Sequence, residues 1–497
     1  MYPRSEEEFK TFAQKGNLIP VYEEMSASFE TPLSVYLKIR QGTAGFLLES
    51  IERGKNQGRY SFIGSETYLL FMVKDNKVVI RENGKERVVS TADPLGELEK
   101  IFQRHRPVEL PGLSGFTGGA VGYLGYDMVR YIENLPERKT DNLDCPDCVF
   151  LFTDSVMIFD HVRQVLQIVV NVRTTADPGQ DYQQAVRKIQ RFKKRLQQQV
   201  PLQESGCSTG KRVETAYRSN LTSEQYQEKV KEAKQHILAG DIFQVVLSRK
   251  LELRLESHPL DIYRSLRSVN PSTYMFYLEM EGFCLVGSSP EMMVKAANQR
   301  AYVTPIAGTR PRGTTEMEEK KYVEELLADE KEKAEHLMLV DLGRNDLGRV
   351  CTYGSVKTAS FMEVEKYSHV MHLVSTVQGE LRPDCTCFDL LKACFPAGTV
   401  SGAPKVRAME IIDSLENCSR GPYAGAVGYI SYSGEMDTCI TIRTMIITGE
   451  KGYIQVGAGI VADSDPEKEY QETQNKAQAL IKAVEKAEKG GSYATGH

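Results

Sequence analysis

The chain has 497 residues, a formal net charge of −5, 41% hydrophobic and 26% charged residues. That length accommodates two or three domains with a large core, and the slightly acidic balance excludes a global basic surface for nucleic-acid phosphates. No window is apolar over the ~18 residues that a membrane span needs, and the N-terminal MYPRSEEEFK lacks the apolar segment of a signal peptide. The ten cysteines are scattered, not spaced as a disulfide framework, so the expected compartment is the reducing cytoplasm. Tryptophan is absent from the chain.

Residues 20–90 read as short strands, among them Gly45–Glu49 and Tyr68–Val73, with Asn83-Gly84 as a hairpin turn. Tyr182, Ala185, Val186, Ile189, Phe192 and Leu196 recur at helical spacing, and the Arg and Lys residues between them (187, 188, 191 and 193–195) read as a solvated face. A polar, aperiodic stretch at 199–215 reads as a linker. Beyond it, Thr222-x-x-Gln225 forms a capping box for a helix through Tyr226, Val230, Ala233 and Ile237 that Gly240 stops. A strand follows over Ile242–Leu253, and strands and helices then alternate to a long final helix from Pro466 to about Lys489, capped by Asp465. The string Gly119-Ala-Val-Gly-Tyr123 recurs as Gly425-Ala-Val-Gly-Tyr429, either by chance or because it marks equivalent strands in two related layers.

Two helices carry carboxylates three residues apart, Glu332 with Glu335 and Glu469 with Glu472. Each pair shares one helix face, and together they suit a hard cation such as magnesium. Most Glu pairs on helices are simply solvated, so the spacing alone decides nothing. Three glycine-bearing turns offer backbone to a small anion: Pro396–Lys405, in which Pro404 opens a helix, Gly457-Ala458-Gly459 after the strand Tyr453–Val456, and Gly308-Thr309-Arg310 after the strand Ala301–Ile306. Arg310, Lys405 and Arg443 near these turns suit a small dicarboxylate. No Walker or G-x-G-x-x-G string occurs, which disfavours nucleotide binding. Cys145-x-x-Cys148 and His369-x-x-His372 lie far apart in the chain and do not make a zinc site at the usual spacing.

Several longer strings occur in order: Pro305-Ile-Ala-Gly-Thr-Arg-Pro-Arg-Gly313, Glu335-His-Leu-Met-Leu-Val-Asp-Leu342, Arg344-Asn-Asp346, Gly398-Thr-Val-Ser-Gly-Ala-Pro-Lys405 and Gly457-Ala-Gly459. Over about residues 223–488 the chain thereby resembles the chorismate-utilising enzymes. The resemblance implies an α+β fold in which two large antiparallel sheets pack as a sandwich with helices outside. Ala307 stands where aminodeoxychorismate synthases usually carry a Lys nucleophile, and Gln244 stands where isochorismate and salicylate enzymes carry a Lys base. Gln cannot deprotonate water, so ammonia becomes the expected nucleophile and the large subunit of anthranilate synthase the nearest pattern, with component I of aminodeoxychorismate synthase as the alternative.

The resemblance implies Mg²⁺ on Glu335 and Glu472, with Glu332 in support. It implies chorismate contacts from Gly308, Thr309, Tyr423, Arg443, Gly457, Ala458 and Gly459, and catalytic roles for Glu291, His372, Thr399 and Gln244. Leu47-Leu-Glu-Ser50 with Asn270-Pro-Ser-Thr-Tyr-Met275 resembles a tryptophan feedback site, formed by Ser50, Thr273, Tyr274 and Met275, with Thr273 in place of the usual Pro. No cysteine sits in the glycine-rich elbow of a glutaminase. The expected partner is therefore a separate glutamine amidotransferase subunit in a hetero-oligomer. The expected organisation is a regulatory region at 1–198, the linker at 199–215, a catalytic domain at 216–490 and a tail at 491–497.

Overall fold

The structure is a computed structural model that describes residues 1–50, 58–113, 115–136, 143, 145–200, 216–367 and 370–489. Nearly all of the expected linker, the tail and His369 lie outside these residues.

Two twelve-stranded sheets dominate, and every strand pairing is antiparallel. Along the strands side chains alternate between faces. In Tyr274–Met280, Phe276 and Leu278 turn into a core shared between the two sheets, with Val121, Tyr123 and Val427 of the other sheet. Met275 and Tyr277 turn the other way, onto helices that include Pro259–Val269 and Pro466–Glu488. The outer face of the second sheet is covered in the same manner by the helices Pro94–Phe102, Glu330–Gly348 and Cys387–Cys394. The sandwich with outer helices is thus the one expected.

Each sheet takes five of its twelve strands from the first two hundred residues and seven from the rest. In the first, Gly45–Glu49 pairs with Tyr274–Met280 at the seam; in the second, Gly119–Leu124 pairs with Ala426–Ser431. This second seam corrects the reading of the repeated string. The two copies are not equivalent strands of two layers. They are antiparallel neighbours in one sheet, with Gly122 opposite Gly428 and Tyr123 opposite Val427. Glycine is needed there because a Cβ on Gly122 would come within 1.9 Å of the Val149 carbonyl oxygen, and one on Gly428 within 2.1 Å of that of Asp437.

The local expectations mostly hold. Gly45–Glu49 has the expected bounds, and Asn83 and Gly84 take φ of 49° and 77° between the strands Lys77–Glu82 and Lys85–Ser90. Both arms of the Thr222–Gln225 capping box form, Gly240 adopts φ 81°, and Asp465 caps the last helix through the Lys468 amide. The basic face of the helix Pro178–Leu196 is less solvated than its sequence implies. Lys188, Arg191 and Arg195 all reach Glu66, and Lys193 reaches Glu23, which ties the helix onto strands beneath it.

Candidate active site

The helix Glu330–Gly348 begins at Asp329, whose carboxylate accepts from the amides of Lys331 and Glu332. One turn on, Glu335 Oε1 accepts from Gln244 Nε2 at 3.2 Å. Burial raises the pKa of Glu332, and repulsion from Glu335 and Asp329 adds to it. On the helix Pro466–Glu488, burial raises Glu469 likewise, with Glu472 adding to it and Lys331 of the first helix opposing it. The first turns of the two carboxylate helices are therefore within electrostatic reach of each other.

Between them runs the strand Lys451–Ile460, paired with Gln244–Arg254 so that Gly459 opposes Val246 and Gly457 opposes Ser248. Gln244 Nε2 lies 2.6 Å from where a Cβ on Gly459 would sit. Lys476 Nζ donates to the Gly457 carbonyl at 2.9 Å and pairs with Glu472 at 2.7 Å. A continuous run of contacts thus joins Glu335 to Glu472 through Gln244, the glycine strand and Lys476. Among the described residues no three or more His, Cys, Asp or Glu side chains converge as a metal cage. A cation taking these crowded carboxylates would draw its remaining ligands from water and substrate. That donor set fits magnesium.

Glycines 308, 457 and 459 do not lie in turns after strands, as their sequence context led us to expect. They lie inside strands, Ile306–Pro311 and Lys451–Ile460. Gly457 leaves room for the Tyr423 hydroxyl, 2.7 Å from its would-be Cβ, and Gly308 takes φ 65° at a bulge, with its Cβ position 3.3 Å from a Glu332 oxygen. Beyond the bulge, Thr309 pairs with His372. His372 Nδ1 donates to the Gly308 carbonyl at 2.9 Å, with the Thr309 hydroxyl at 3.1 Å. A carbonyl only accepts, so Nδ1 carries the hydrogen and Nε2 is the basic nitrogen of the neutral ring.

Glu291 sits in the two-residue bridge between the strands Phe283–Ser289 and Met292–Ala297. Its side chain is buried, which pushes its pKa up to about 8. The Thr399 hydroxyl and the cations of Arg443 and Lys476 pull in the other direction. Thr399 lies in the short turn Gly398–Val400, and its buried hydroxyl has no other partner. Arg443 adopts left-handed backbone at φ 49°, with its carbonyl accepting from the Ser288 amide at 3.1 Å.

Two expected anion ligands are otherwise engaged. Lys405 is largely buried on Asp346 at 2.8 Å and on the Cys394 carbonyl at 3.0 Å, and Pro404 caps its helix one residue before the first turn. Arg310 pairs with Asp329 at 2.7 Å. Two important residues escaped the sequence reading. Lys476 was legible in principle, four residues after Glu472 on the same helix face. Arg420 was not. It is fully buried and binds both Glu416 oxygens and the carbonyls of Val400 and Val246, with its guanidinium over Tyr126 and near Tyr423. One cation thereby holds together the Thr399 turn, the Gln244 strand and Tyr423.

Ser50, Thr273, Tyr274 and Met275 line a second cavity, of about 360 Å³, between the sheets. The Ser50 and Thr273 hydroxyls are buried without a partner. Glu49, also on its wall, is held by Tyr263 at 2.6 Å and Arg267 at 3.1 Å, and burial raises its pKa. Tyr274 and Lys295 both reach Asp437.

The family of chorismate binding enzymes matches residues 48–482. Anthranilate synthase component 1 of Acetivibrio thermocellus is 48% identical over 97% of this chain and 98% of its own length; that of Aquifex aeolicus is 46% identical over 97% and 98%. The crystal structure of anthranilate synthase component I from Streptococcus pneumoniae superposes with a TM-score of 0.78 at 34% identity, covering 92% of this chain and 99% of that one. The menaquinone-specific isochorismate synthase MenF of Escherichia coli, 19% identical with a TM-score of 0.68, shares the fold. With the matched region running from the strand at Gly45–Glu49 to the last helix, the chain is a member of the chorismate-binding enzyme family and groups there with anthranilate synthase component 1.

Proposed function

We propose that the chain aminates chorismate with ammonia and expels pyruvate, so that chorismate and ammonia give anthranilate, pyruvate and water. The observation that carries this reading is the buried Glu291 carboxyl, protonated near neutral pH and flanked by Arg443 and Lys476. An acid that keeps its proton at pH 7 can deliver it to a departing hydroxyl, and the two cations suit the two carboxylates of the substrate.

Glu335 and Glu472 would hold Mg²⁺, with Glu332 in support. The bound ion would supply Lewis-acid pull and a fixed point for the ring carboxylate. The main-chain groups of Gly308, Thr309, Gly457, Ala458 and Gly459, with Tyr423, line the substrate, and Arg443 takes the enolpyruvyl carboxylate as a bidentate partner. Ammonia adds its lone pair to the ring carbon beside the carboxylated one, and the ring hydroxyl departs as water with the Glu291 proton. His372 and Thr399 stand at the ring for the second stage, in which a ring proton is lost and the enolpyruvyl C–O bond breaks to release pyruvate. Gln244 has no basic nitrogen to activate water, which favours ammonia as nucleophile. Ala307 has no amine to attack the ring, which favours the anthranilate route over its aminodeoxychorismate relative.

We assign the supply of ammonia to a separate glutaminase subunit in the cytoplasm, consistent with thiols spread over nine described cysteines. Residues 1–198 form the regulatory region over the catalytic 216–490, and the 360 Å³ cavity takes tryptophan as feedback inhibitor. The orphaned Ser50 and Thr273 hydroxyls, beside an apolar wall, support an amino-acid ligand there.

Incubating the pure chain with chorismate, Mg²⁺ and ammonium tests the reading. A blue-fluorescent product with one pyruvate per turnover is expected. Formation of an aromatic or hydroxylated product without amination, or no product at all, overturns it.

A further inference from the structure

Two cavities share a wall residue where the chain crosses between the sheets. The larger is the 360 Å³ cavity just described; the smaller, about 50 Å³, is lined by Glu291, Thr399, Gly398 and Pro305. Met292 lines both. It opens its strand in one sheet, Ser289 closes its strand in the other, and only Pro290 and Glu291 span the gap.

Both ends of that bridge are fastened to walls of the larger cavity. Tyr274 pairs in register with Ser289 and Cys439 with Met292, and Tyr274 and Cys439 each face that cavity. The Glu291 carbonyl itself accepts from the Ile440 amide at 3.0 Å, next to Cys439. Two residues extend no more than about 7 Å, so a shift of either strand has little slack before it turns Glu291. The register slips between Met292 and Val294, and the Met292 sulfur accepts only a long contact from the Thr304 hydroxyl at 3.8 Å. An unbranched thioether in such a place repacks at little cost.

We propose that Met292 is a positioning residue that couples occupancy of the larger cavity to the setting of the Glu291 carboxyl in the smaller one. The proposal rests on the reading of the two cavities as effector site and reaction site. A ligand shifts an equilibrium only by contacts that differ between two states. Met292 provides such a contact, because whatever presses on it from one side moves the partition beside the acid on the other.

The test uses the full chain as wild type, Met292→Ala and the volume-conserving Met292→Leu. Calorimetry gives tryptophan affinity, and steady-state rates with chorismate, Mg²⁺ and ammonium give the factor by which saturating tryptophan lowers kcat/KM. Both variants are expected to bind tryptophan within about fivefold of wild type, while the inhibition factor falls by about fivefold or more in Met292→Ala and by less in Met292→Leu. An inhibition factor equal to wild type in the variants overturns the proposal. So does loss of tryptophan binding in both, since Met292 would then be a ligand contact and not a coupler. If Met292→Ala fails to fold, Met292→Leu decides alone: a reduced factor with retained binding supports the proposal, and an unchanged factor overturns it. A wild-type chain that makes anthranilate yet binds no tryptophan overturns the effector reading itself, and the proposal with it.

Discussion

Gln244 donates its side-chain amide to a Glu335 oxygen at 3.2 Å, and the same nitrogen occupies the space a Cβ on Gly459 would need. One amide thus ties a sheet strand to a carboxylate helix. Replacing it by Gln244→Lys sets an ammonium against Glu335 in competition with a divalent cation. The Mg²⁺ concentration for half-maximal rate is expected to rise about tenfold or more, as for other groups that orient a metal ligand. Titrating Mg²⁺ in the ammonium-dependent assay checks this, and an unchanged requirement would detach Glu335 from the metal.

Glu291→Gln keeps the shape of the buried side chain and removes its proton. We expect kcat to fall by about 10² to 10⁴ while chorismate binding changes little. In the wild type the acid form is lost as pH rises through about 8, so kcat should decline above that pH. A pH profile of the wild type that stays level to pH 10 would remove Glu291 from the proton-donor role.

The same carboxyl makes stability depend on pH. Burial lifts it from an ordinary value of 4.5 to about 8, so between those values the native chain binds a proton that the unfolded chain has released. Its contribution is complete below the lower value and is lost as pH rises through the upper one. Glu291→Gln escapes this loss. Thermal melts should show the variant gaining on the wild type from pH 5 to pH 9, and a constant difference across the range would contradict the buried acid.

Lys476 bridges Glu472 and the Gly457 carbonyl. Lys476→Met keeps the apolar stem and removes the charge. A rise in chorismate KM of about tenfold is expected from losing one charge-assisted contact. Far-ultraviolet circular dichroism should be unchanged, and an unaltered KM would mean the ammonium serves only Glu472 and the Gly457 carbonyl.

How much of this was legible beforehand depends on whether the signal is local. The Asn83-Gly84 turn, the Thr222–Gln225 box and the Asp465 cap are short-range chemistry, and each is where its residues put it. The convergence of Glu291, Thr399, Arg443 and Lys476 is long-range, and only the resemblance to a family pointed to most of that set. Glycines misled in both senses. Gly457 and Gly459 read as a turn, although they are strand residues that make way for Tyr423 and Gln244. The repeated Gly-Ala-Val-Gly-Tyr offered equivalent strands in two layers, although it marks two strands that touch, where carbonyls of flanking strands leave no room for a Cβ. Lys405 read as an anion ligand because it follows a glycine-bearing turn; the largely buried Asp346 that claims it lies 59 residues away.

The seam glycines make their own prediction. Gly122→Ala puts a methyl 1.9 Å from a backbone oxygen, which the sheet relieves only by moving a strand. A loss of several kcal/mol is expected, at the high end for a single substitution. Chemical denaturation of Gly122→Ala against a control at the unobstructed helical Gly348→Ala measures it, and equal midpoints would argue against close approach at the seam.

The two seams also bear on how the polypeptide is made. Gly45–Glu49, beside Tyr60–Gly64, finds its second neighbour only when Tyr274–Met280 has been synthesised, and Gly119–Leu124, beside Cys148–Thr153, waits for Ala426–Ser431. Until then the nascent chain carries two open strand edges with unpaired amides and carbonyls, a template for pairing with the wrong molecule. Neither half can be expected to survive alone as a truncated fragment, and translation must pass Ser431 before both sheets can close.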